Sequence, residues 1–408
     1  MKRKASLGTI FLTVFLDLLG FGLVVPYLPG VARTYGATAL VATLLGASYS
    51  LMQLFFVPFW GQLSDRTGRR PVLVVSVGAS VVGFLILANA TSLWMLFAAR
   101  IWNGIATSNL SVAQAYIADV TQPKDRAKGM GLIGAGIGIG FVLGPVVGGL
   151  LEAHSPLGRV GALPAYAGAA LSLLNLILAL TFLPESLPPE RRGKNVRRAS
   201  PFDAERYRAA LRFPGTGVAL ALNFVLVLSF AAMEQTFRLF TEDAFHMDAR
   251  GTGYVLGFVG LVLIAVQGGL LRLLAQVFVE ASLVRAGIFI QATGFFALAL
   301  SPRIGGLGPL YGAMGLIAFG SALTNPSLSA FVSRCADAGS QGAVLGVLQS
   351  AGAFARVCGP ATGGLLYQAV GIQAPYVAAG IGMLIGGGLA FRLRHPAPPR
   401  GTADAVPP

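Results

Sequence analysis

Along this 408-residue chain, apolar runs of nearly constant length alternate with short polar breaks from one end to the other. A helix crosses the hydrocarbon core of a bilayer with about 17–25 apolar residues. Twelve intervals meet that length, at about 6–30, 40–60, 71–91, 93–119, 129–151, 162–183, 214–240, 252–274, 282–301, 304–327, 342–368 and 371–392. The pattern predicts an all-α membrane protein of twelve transmembrane helices. One long polar interval interrupts it, PESLPPERRGKNVRRASPFDAERYRAALRF at residues 184–213. This divides the chain into an N-terminal six-helix bundle (1–183), a cytoplasmic linker (184–213), a C-terminal six-helix bundle (214–395) and a tail (396–408) expected to be disordered.

A repeat supports the division. GPVVGGLL at 144–151 returns as GPATGGLL at 359–366, an offset of 215. At an offset of 216, Gly104, Ala106, Asn109 and Ser111 return as Gly320, Ala322, Asn325 and Ser327. Two segments in different spans share nearly one period, as duplication of a six-helix unit predicts. Parallel repeats rocking about a central site are a transporter architecture. In the first copy Gly136, Gly140, Gly144 and Gly148 fall on one helix face, where a neighbouring backbone can approach closely. The second copy keeps Ala351, Ala355, Gly359 and Gly363 there. Pro145 and Pro360 remove an amide donor and free the carbonyls of Phe141 and Arg356, so a bend is expected in each helix. Simple tight packing and a moving contact between the two bundles both account for such a face.

Composition sharpens this picture. The chain is 55% hydrophobic and 11% charged, against about 25% charged residues in soluble domains, and its mean hydropathy is +0.72. The formal charge of +14 is gathered on one side: Lys2, Arg3 and Lys4; Arg66, Arg69 and Arg70; Lys124, Arg126 and Lys128; and eight basic residues from Arg191 to Arg212. The opposite loops hold only Arg33, Arg159, Arg250 and Arg303. This is the positive-inside bias, which places both termini in the cytoplasm and removes nucleic acid as a partner. The basic, apolar N-terminus resembles a secretory signal, but no small-x-small site follows and the run continues to Pro29, so it reads as the first span. Cys335 and Cys358 have no metal or redox spacing. The histidines fall in loops or the tail. No Walker A sequence, zinc spacing or nucleophile-base pair is present, so no cofactor, metal or enzymatic role is expected, and an ion gradient remains as the energy source.

The turn GQLSDRTGRRP at 61–71 is the most specific signal. Its glycines permit a short turn, and Asp65 is placed to pair with a basic group or to cap a helix. Gly61, Asp65, Arg66, Gly68, Arg69 and Arg70 resemble the loop hallmark of the major facilitator superfamily. The resemblance implies a conformational latch, to which Asp119 at a helix end also belongs. LDLLGFGLVVPYLP (16–29), RIWNGIA (100–106) and GIGIGFVLGPVVGGLL (136–151) resemble the first-, fourth- and fifth-helix motifs of twelve-span drug:proton antiporters. The last of these implies antiport through Gly136, Gly140, Gly144, Pro145, Gly148 and Gly149. YIADVT (116–121) and LPES (183–186) are similar to bacterial tetracycline exporters. Those exporters carry an aspartate in the ninth helix, where this chain has Gln291.

An ionisable group inside a span costs roughly 2.5–3.5 kcal/mol on insertion scales, so each one needs a partner or a function. Asp17 lies near the midplane of the first span and is the first candidate proton carrier; a helix contact through Arg100 or backbone amides is its structural alternative. Glu234 is a second candidate, with Arg238 one turn away for an i,i+4 ion pair. Arg100 is expected to position and tune the carboxylates. Arg356 stands where the repeat has Phe141, to bind an anion or to neutralise Glu234 or a freed carbonyl. Asn109, Gln114, Phe230, Phe237, Asn325 and Arg356 are the expected substrate residues, with Phe224 and Phe354 adding aromatic surface. The expected function is proton-coupled efflux of small amphiphilic drug-like compounds by a monomer in the inner membrane. Efflux of a metabolite such as a sugar or amino acid, or a non-transporting sensor on the same scaffold, are the alternatives.

Overall fold

Apolar runs become helices and polar breaks become turns in the computed structural model, which describes residues 7–122, 126–155, 161–193, 203–336 and 340–393. The basic residues at 2–4, Lys124, Arg159 and the predicted tail at 396–408 lie outside the described residues. Helices α1 (Leu7–Val24) and α2 (Leu28–Thr34) make the first crossing, with Pro29 in the opening turn of α2, where its missing amide is harmless. Helix α3 (Ala39–Thr67) ends at Gly68, whose φ of +111° lets α4 (Arg69–Ala88) begin at once.

The predicted 93–119 span is divided into α5 (Leu93–Ala106) and α6 (Leu110–Val120). Thr107 and Ser108 donate hydroxyl hydrogen bonds back to the carbonyls of Asn103 and Gly104 at 2.8 and 2.6 Å, a pattern that bends helices. Helices α7 (Arg126–Glu152) and α8 (Ala162–Phe182) follow. Within the polar interval, α9 (Ala204–Leu211) starts where Asp203 accepts from the amides of Glu205 and Arg206. Helix α10 (Thr216–Phe245) leads to α11 (Ala249–Ala265), which passes through a π turn at Val266–Leu270 into α12 (Leu271–Val277). The chain continues through α13 (Glu280–Ile304), α14 (Gly308–Cys335), α15 (Gln341–Ala369) and α16 (Ala374–Ala390).

Among the described residues, ten segments are long and apolar enough to cross a membrane. The divided α5–α6 run and the 17-residue α16 are the two predicted intervals outside that set. The chain is an all-α, multi-span membrane protein, with no strand among the described residues.

Helix α1 packs on α7 and α8, and α10 packs on α15 and α16. Two seams, α3 on α15 and α7 on α11, join the parts before and after the polar interval. The glycine ladder packs against α1. A methyl group added at Gly144 would stand 2.6 Å from Gly22 Cα, and one at Gly140 would stand 3.1 Å from Leu18 Cβ, so this face of α7 lies against α1. The second copy does the same against α10, with Leu228 O 2.7 Å from the position of a methyl at Gly359. The contact across the seam belongs to other residues: Val142 and Val146 of α7 press on Gly260 and Gly257 of α11. Both helices remain continuous through Pro145 and Pro360.

Candidate functional site

The ionisable residues inside the helices lie well away from the helix ends. Asp17 belongs to α1, Arg100 to α5, Glu234 to α10 and Arg356 to α15. Tyr49 of α3 stands among them, with Arg100, Asp17 and Arg356 all as electrostatic neighbours. Glu234 has both guanidinium groups, those of Arg356 and Arg100, as its charged neighbours. Five helices, three from the first part of the chain and two from its last part, thus contribute to one charged centre.

Arg100 is held without a carboxylate. Its guanidinium carbon lies 4.1 Å from the centroid of the Tyr49 ring and 5.8 Å from that of Phe21, while Nε donates to Leu45 O at 3.5 Å. The Tyr49 hydroxyl shares a 2.6 Å hydrogen bond with Thr107 Oγ1 and accepts from Gln53 Nε2 at 2.9 Å. Phe21 lies 5.1 Å from Tyr49 and 6.1 Å from Phe141, between ring centroids. The result is an aromatic wall with a fixed cation.

Asp17 does not pair with Arg100. Its side chain adjoins Asn109, whose Nδ2 donates to Ser76 Oγ at 2.6 Å, and Asp17 Oδ1 is buried with no hydrogen-bond partner among the described residues. A buried, unsatisfied carboxylate oxygen is costly unless a proton or ligand meets it. The expected Glu234–Arg238 ion pair also fails to form. Arg238 turns the other way, to Glu242 at 3.1 Å and the carbonyl of Met247 at 3.3 Å, which leaves Glu234 to the centre. Arg356 is exposed and has neither a salt bridge nor a hydrogen bond among the described residues.

The other expected substrate residues scatter. Phe237 is 1% exposed and belongs to the packed core, so it cannot line a site. Phe230 packs against that core, and Asn109 is buried beside Asp17. Gln114 and Asn325 are exposed, and Asn325 donates to Ser321 Oγ at 3.1 Å. Phe224 and Phe354 form a ring pair at 6.1 Å. Gln291 is buried between helices, donating to Thr324 Oγ1 at 3.1 Å and Gly287 O at 3.3 Å.

The 61–71 turn is a network. Arg69 reaches Asp65 at 2.6 Å, Asp119 at 3.2 Å and Ser64 Oγ at 2.6 Å. Glu185 accepts from the amides of Arg69 and Arg70 at 2.9 and 3.3 Å, at the start of α4. Arg70 donates to Leu180 O at 2.7 Å, and Gly193 N donates to Asp65 O at 2.9 Å. Every one of these partners precedes residue 194. Arg66 and the glycines Gly61 and Gly68 complete the turn, and Gly61 faces Ser111.

At the opposite end the two parts are clasped. Arg33 of α2 makes two hydrogen bonds to Asp243 of α10, at 2.6 and 2.7 Å, and Tyr367 of α15 donates to the same carboxylate at 2.6 Å. Leu40 N donates to Gln368 Oε1 at 3.2 Å across the two parts, and Tyr27 OH donates to Pro145 O within the first. A methyl at Gly149 would stand 2.6 Å from Ala249 O. Towards the Asp65 end, Gly131, Gly134 and Gly138 of α7 and Gly342 and Gly346 of α15 face open space. The hydrogen bonds named here that join the two parts lie at the Arg33 end, while these glycines towards the Asp65 end have no neighbouring atom among the described residues.

Sequence reasoning missed Tyr49, Gln53 and Thr107. The signal was present as polar side chains spaced i,i+4 in SYSLMQ, within an otherwise apolar run. It also missed the clasp, whose partners are 210 residues apart.

The family profile described as Major Facilitator Superfamily matches residues 10–357 and 282–407. The chain is 34% identical over 375 residues to the tetracycline resistance protein, class C, of Escherichia coli, covering 90% of this chain and 91% of the relative. It is 29% identical over 416 residues to major facilitator superfamily domain-containing protein 10 of Bos taurus, covering 90% and 88%. Among solved structures, the human organic anion transporter MFSD10 (TETRAN) is similar with a TM-score of 0.70 at 26% identity, over 94% of this chain and 98% of that one. The nucleoside transporter NupG has a TM-score of 0.74 at 15% identity, over 95% and 98%, a likeness of fold alone.

Proposed function

Because this chain belongs to the Major Facilitator Superfamily, whose members carry small molecules by alternating access and are not enzymes, we propose that it is a proton-coupled exporter of a small organic metabolite. The observation that carries the reading is that Asp17, Arg100 and Arg356 neighbour Tyr49, and Glu234 neighbours both guanidinium groups, from helices of both parts. Asp17 and Glu234 are the proton carriers, since neither is held in an ion pair among the described residues. Arg100 positions them, and the Asp65 network with Asp119 is the latch that engages when the open end closes.

The same reading takes the twelve predicted intervals as two six-helix repeats, bounded at 1–183 and 214–395, with both termini in the cytoplasm of a monomer. The Asp65 end is then cytoplasmic, and the reading takes this structure as open to that side. A second reading, export of a drug, is favoured by the 34% identity to a tetracycline resistance protein. Everted vesicles energised to an acidic interior separate the two. Metabolites that collapse part of the pH gradient support the first reading, and a response confined to tetracycline-like compounds supports the second. A gradient unmoved by either panel removes proton coupling.

A further inference from the structure

Away from the charged centre, the part of the chain before the polar interval encloses a second polar group of residues. A methyl group built at Gly20 of α1 would stand 3.5 Å from Phe84 Cζ of α4 and 3.8 Å from Gly168 Cα of α8, so these three helices meet in one layer. Helix α4 starts and α8 ends at the Asp65 turn, where Arg70 donates to Leu180 O. One helical turn from the Gly20 layer towards that end, the same faces carry Asp17, Ser80 and Ser172. One turn further, Asn175 Nδ2 donates to Thr13 O at 3.0 Å. The register of α1 against α8 is thus fixed on both sides of Asp17 and Ser172.

The donors of this group are directed elsewhere. Thr13 and Ser80 give their hydroxyl hydrogens to the carbonyls four residues back, of Thr9 and Ser76, at 3.0 and 3.1 Å. Ser76 donates to Ala106 O at 2.6 Å and accepts from Asn109, the amide beside Asp17. Oxygen is what remains: Asp17 Oδ1, Asn175 Oδ1 and Ser172 Oγ are buried with no hydrogen-bond partner among the described residues. Ser172 and Asn175 are themselves buried residues, 1% and 0% exposed. Buried oxygens on two facing helices, one of them a carboxylate's, are costly until something positive or donating meets them.

From this geometry we infer that a sodium ion binds between α1, α4 and α8, with Asp17 Oδ1, Asn175 Oδ1 and Ser172 Oγ as its ligands and Ser80 Oγ beside them. Hard cations take carboxylate, amide and other oxygen ligands. One carboxylate among neutral oxygens balances one positive charge, which selects a monovalent ion over calcium or magnesium. A proton on Asp17 removes the charge, but its single O–H reaches one further oxygen only. A water molecule brings two donors and no charge, whereas a cation meets the carboxylate and the neutral oxygens together. Arg100 does not take the place, because its guanidinium lies on the rings of Tyr49 and Phe21. The inference does not depend on what is carried. It adds a second ion at the carboxylate that the carrier reading gives to the proton, and the two exclude one another there.

The test is saturable binding of radiolabelled sodium to the purified full-length protein, read by scintillation proximity at alkaline pH in choline chloride. Unlabelled sodium should displace the label, and choline should not. Asp17→Asn should abolish the binding, and Ser172→Ala should weaken it about tenfold, the loss expected for one ligand. Thermal unfolding supplies the control for folding. Sodium should raise the wild-type midpoint above that in choline at equal ionic strength, because it binds the native state, and Ser172→Ala should unfold as the wild type does in choline while losing most of the rise. Ser172→Ala thus keeps the test readable where Asp17→Asn fails to fold. An absence of saturable sodium binding, as expected if water fills the place, overturns the inference, as does unchanged sodium affinity in folded Asp17→Asn or Ser172→Ala. A substrate-driven change of the pH gradient in sodium-free vesicles would then leave the carrier reading standing without the sodium site.

Discussion

Arg100 rests on the face of Tyr49, its guanidinium carbon 4.1 Å from the ring centroid, and the Tyr49 hydroxyl is tied in turn to Thr107 and Gln53. A cation over an aromatic ring is worth about 0.5–2 kcal/mol, more as water is removed. Tyr49→Phe keeps the ring and loses two hydrogen bonds, so transport should fall only a few fold. Tyr49→Ala loses the support of Arg100 altogether, and transport should fall by about tenfold or more. Initial rates in proteoliposomes check the order, and equal losses in the two variants would show that the hydroxyl alone matters.

Arg238 is committed to Glu242 and to the carbonyl of Met247. Glu234 is therefore expected to act independently of it. Glu234→Gln should abolish substrate-driven proton movement, whereas Arg238→Gln should retain it with reduced protein stability. Asp17→Asn should behave like Glu234→Gln, because its orphan oxygen has no structural partner to lose among the described residues. Proton release followed by a pH dye in vesicles separates the classes. Wild-type proton movement in Asp17→Asn would take that residue out of the cycle.

How far these features were readable depended on whether they were local. The apolar runs, the repeat and the Asp65 turn are written in consecutive residues, and the Asp65–Arg69 pair needs only one helical turn. Arg238 shows the limit of local reading. Glu234 and Glu242 stand four residues to either side of it, and the i,i+4 rule alone does not choose between them. Phe237 looked like lining because it is aromatic and near Glu234, yet its face of α10 points into the packed core. Which residues of α7 touch α11 rather than α1 follows from the mutual placement of three helices, and no single helix pattern encodes that.

The α7–α11 seam offers a steric test. Gly260 has no room for a side chain, since an added methyl would meet the Val142 side chain and stand 2.9 Å from its Cα. Overpacking of this kind costs about 1–3 kcal/mol. Gly260→Ala should lower the thermal unfolding midpoint, and adding Val142→Ala should recover part of the loss. Residues in contact couple in this way, so thermal unfolding of the wild type, both single variants and the double variant gives the interaction directly. Strict additivity would mean that the seam is loose.

The ion pair of Arg33 with Asp243 joins the two parts, and it bears on alternating access. Asp243 receives both terminal nitrogens of Arg33 and the hydroxyl of Tyr367, so its carboxylate joins α2, α10 and α15. Exposed ion pairs are commonly worth less than about 1 kcal/mol, but a two-point pair reinforced by a third donor is geometrically demanding. An energy of that order is sufficient to shift a balance between two nearly equal conformations. Asp243→Asn removes the ion pair while keeping a hydrogen-bonding side chain, and should populate a state opened at this end. Spin labels at Thr34→Cys and Val370→Cys, on opposite sides of the clasp, should report a longer distance in that variant by double electron–electron resonance. The exchanged pair Arg33→Asp with Asp243→Arg should restore the shorter distance in part, because charge complementarity survives the swap while the Tyr367 hydrogen bond to Asp243 does not. An unchanged distance distribution in Asp243→Asn would show that the α3–α15 and α7–α11 seams hold this end closed by packing alone.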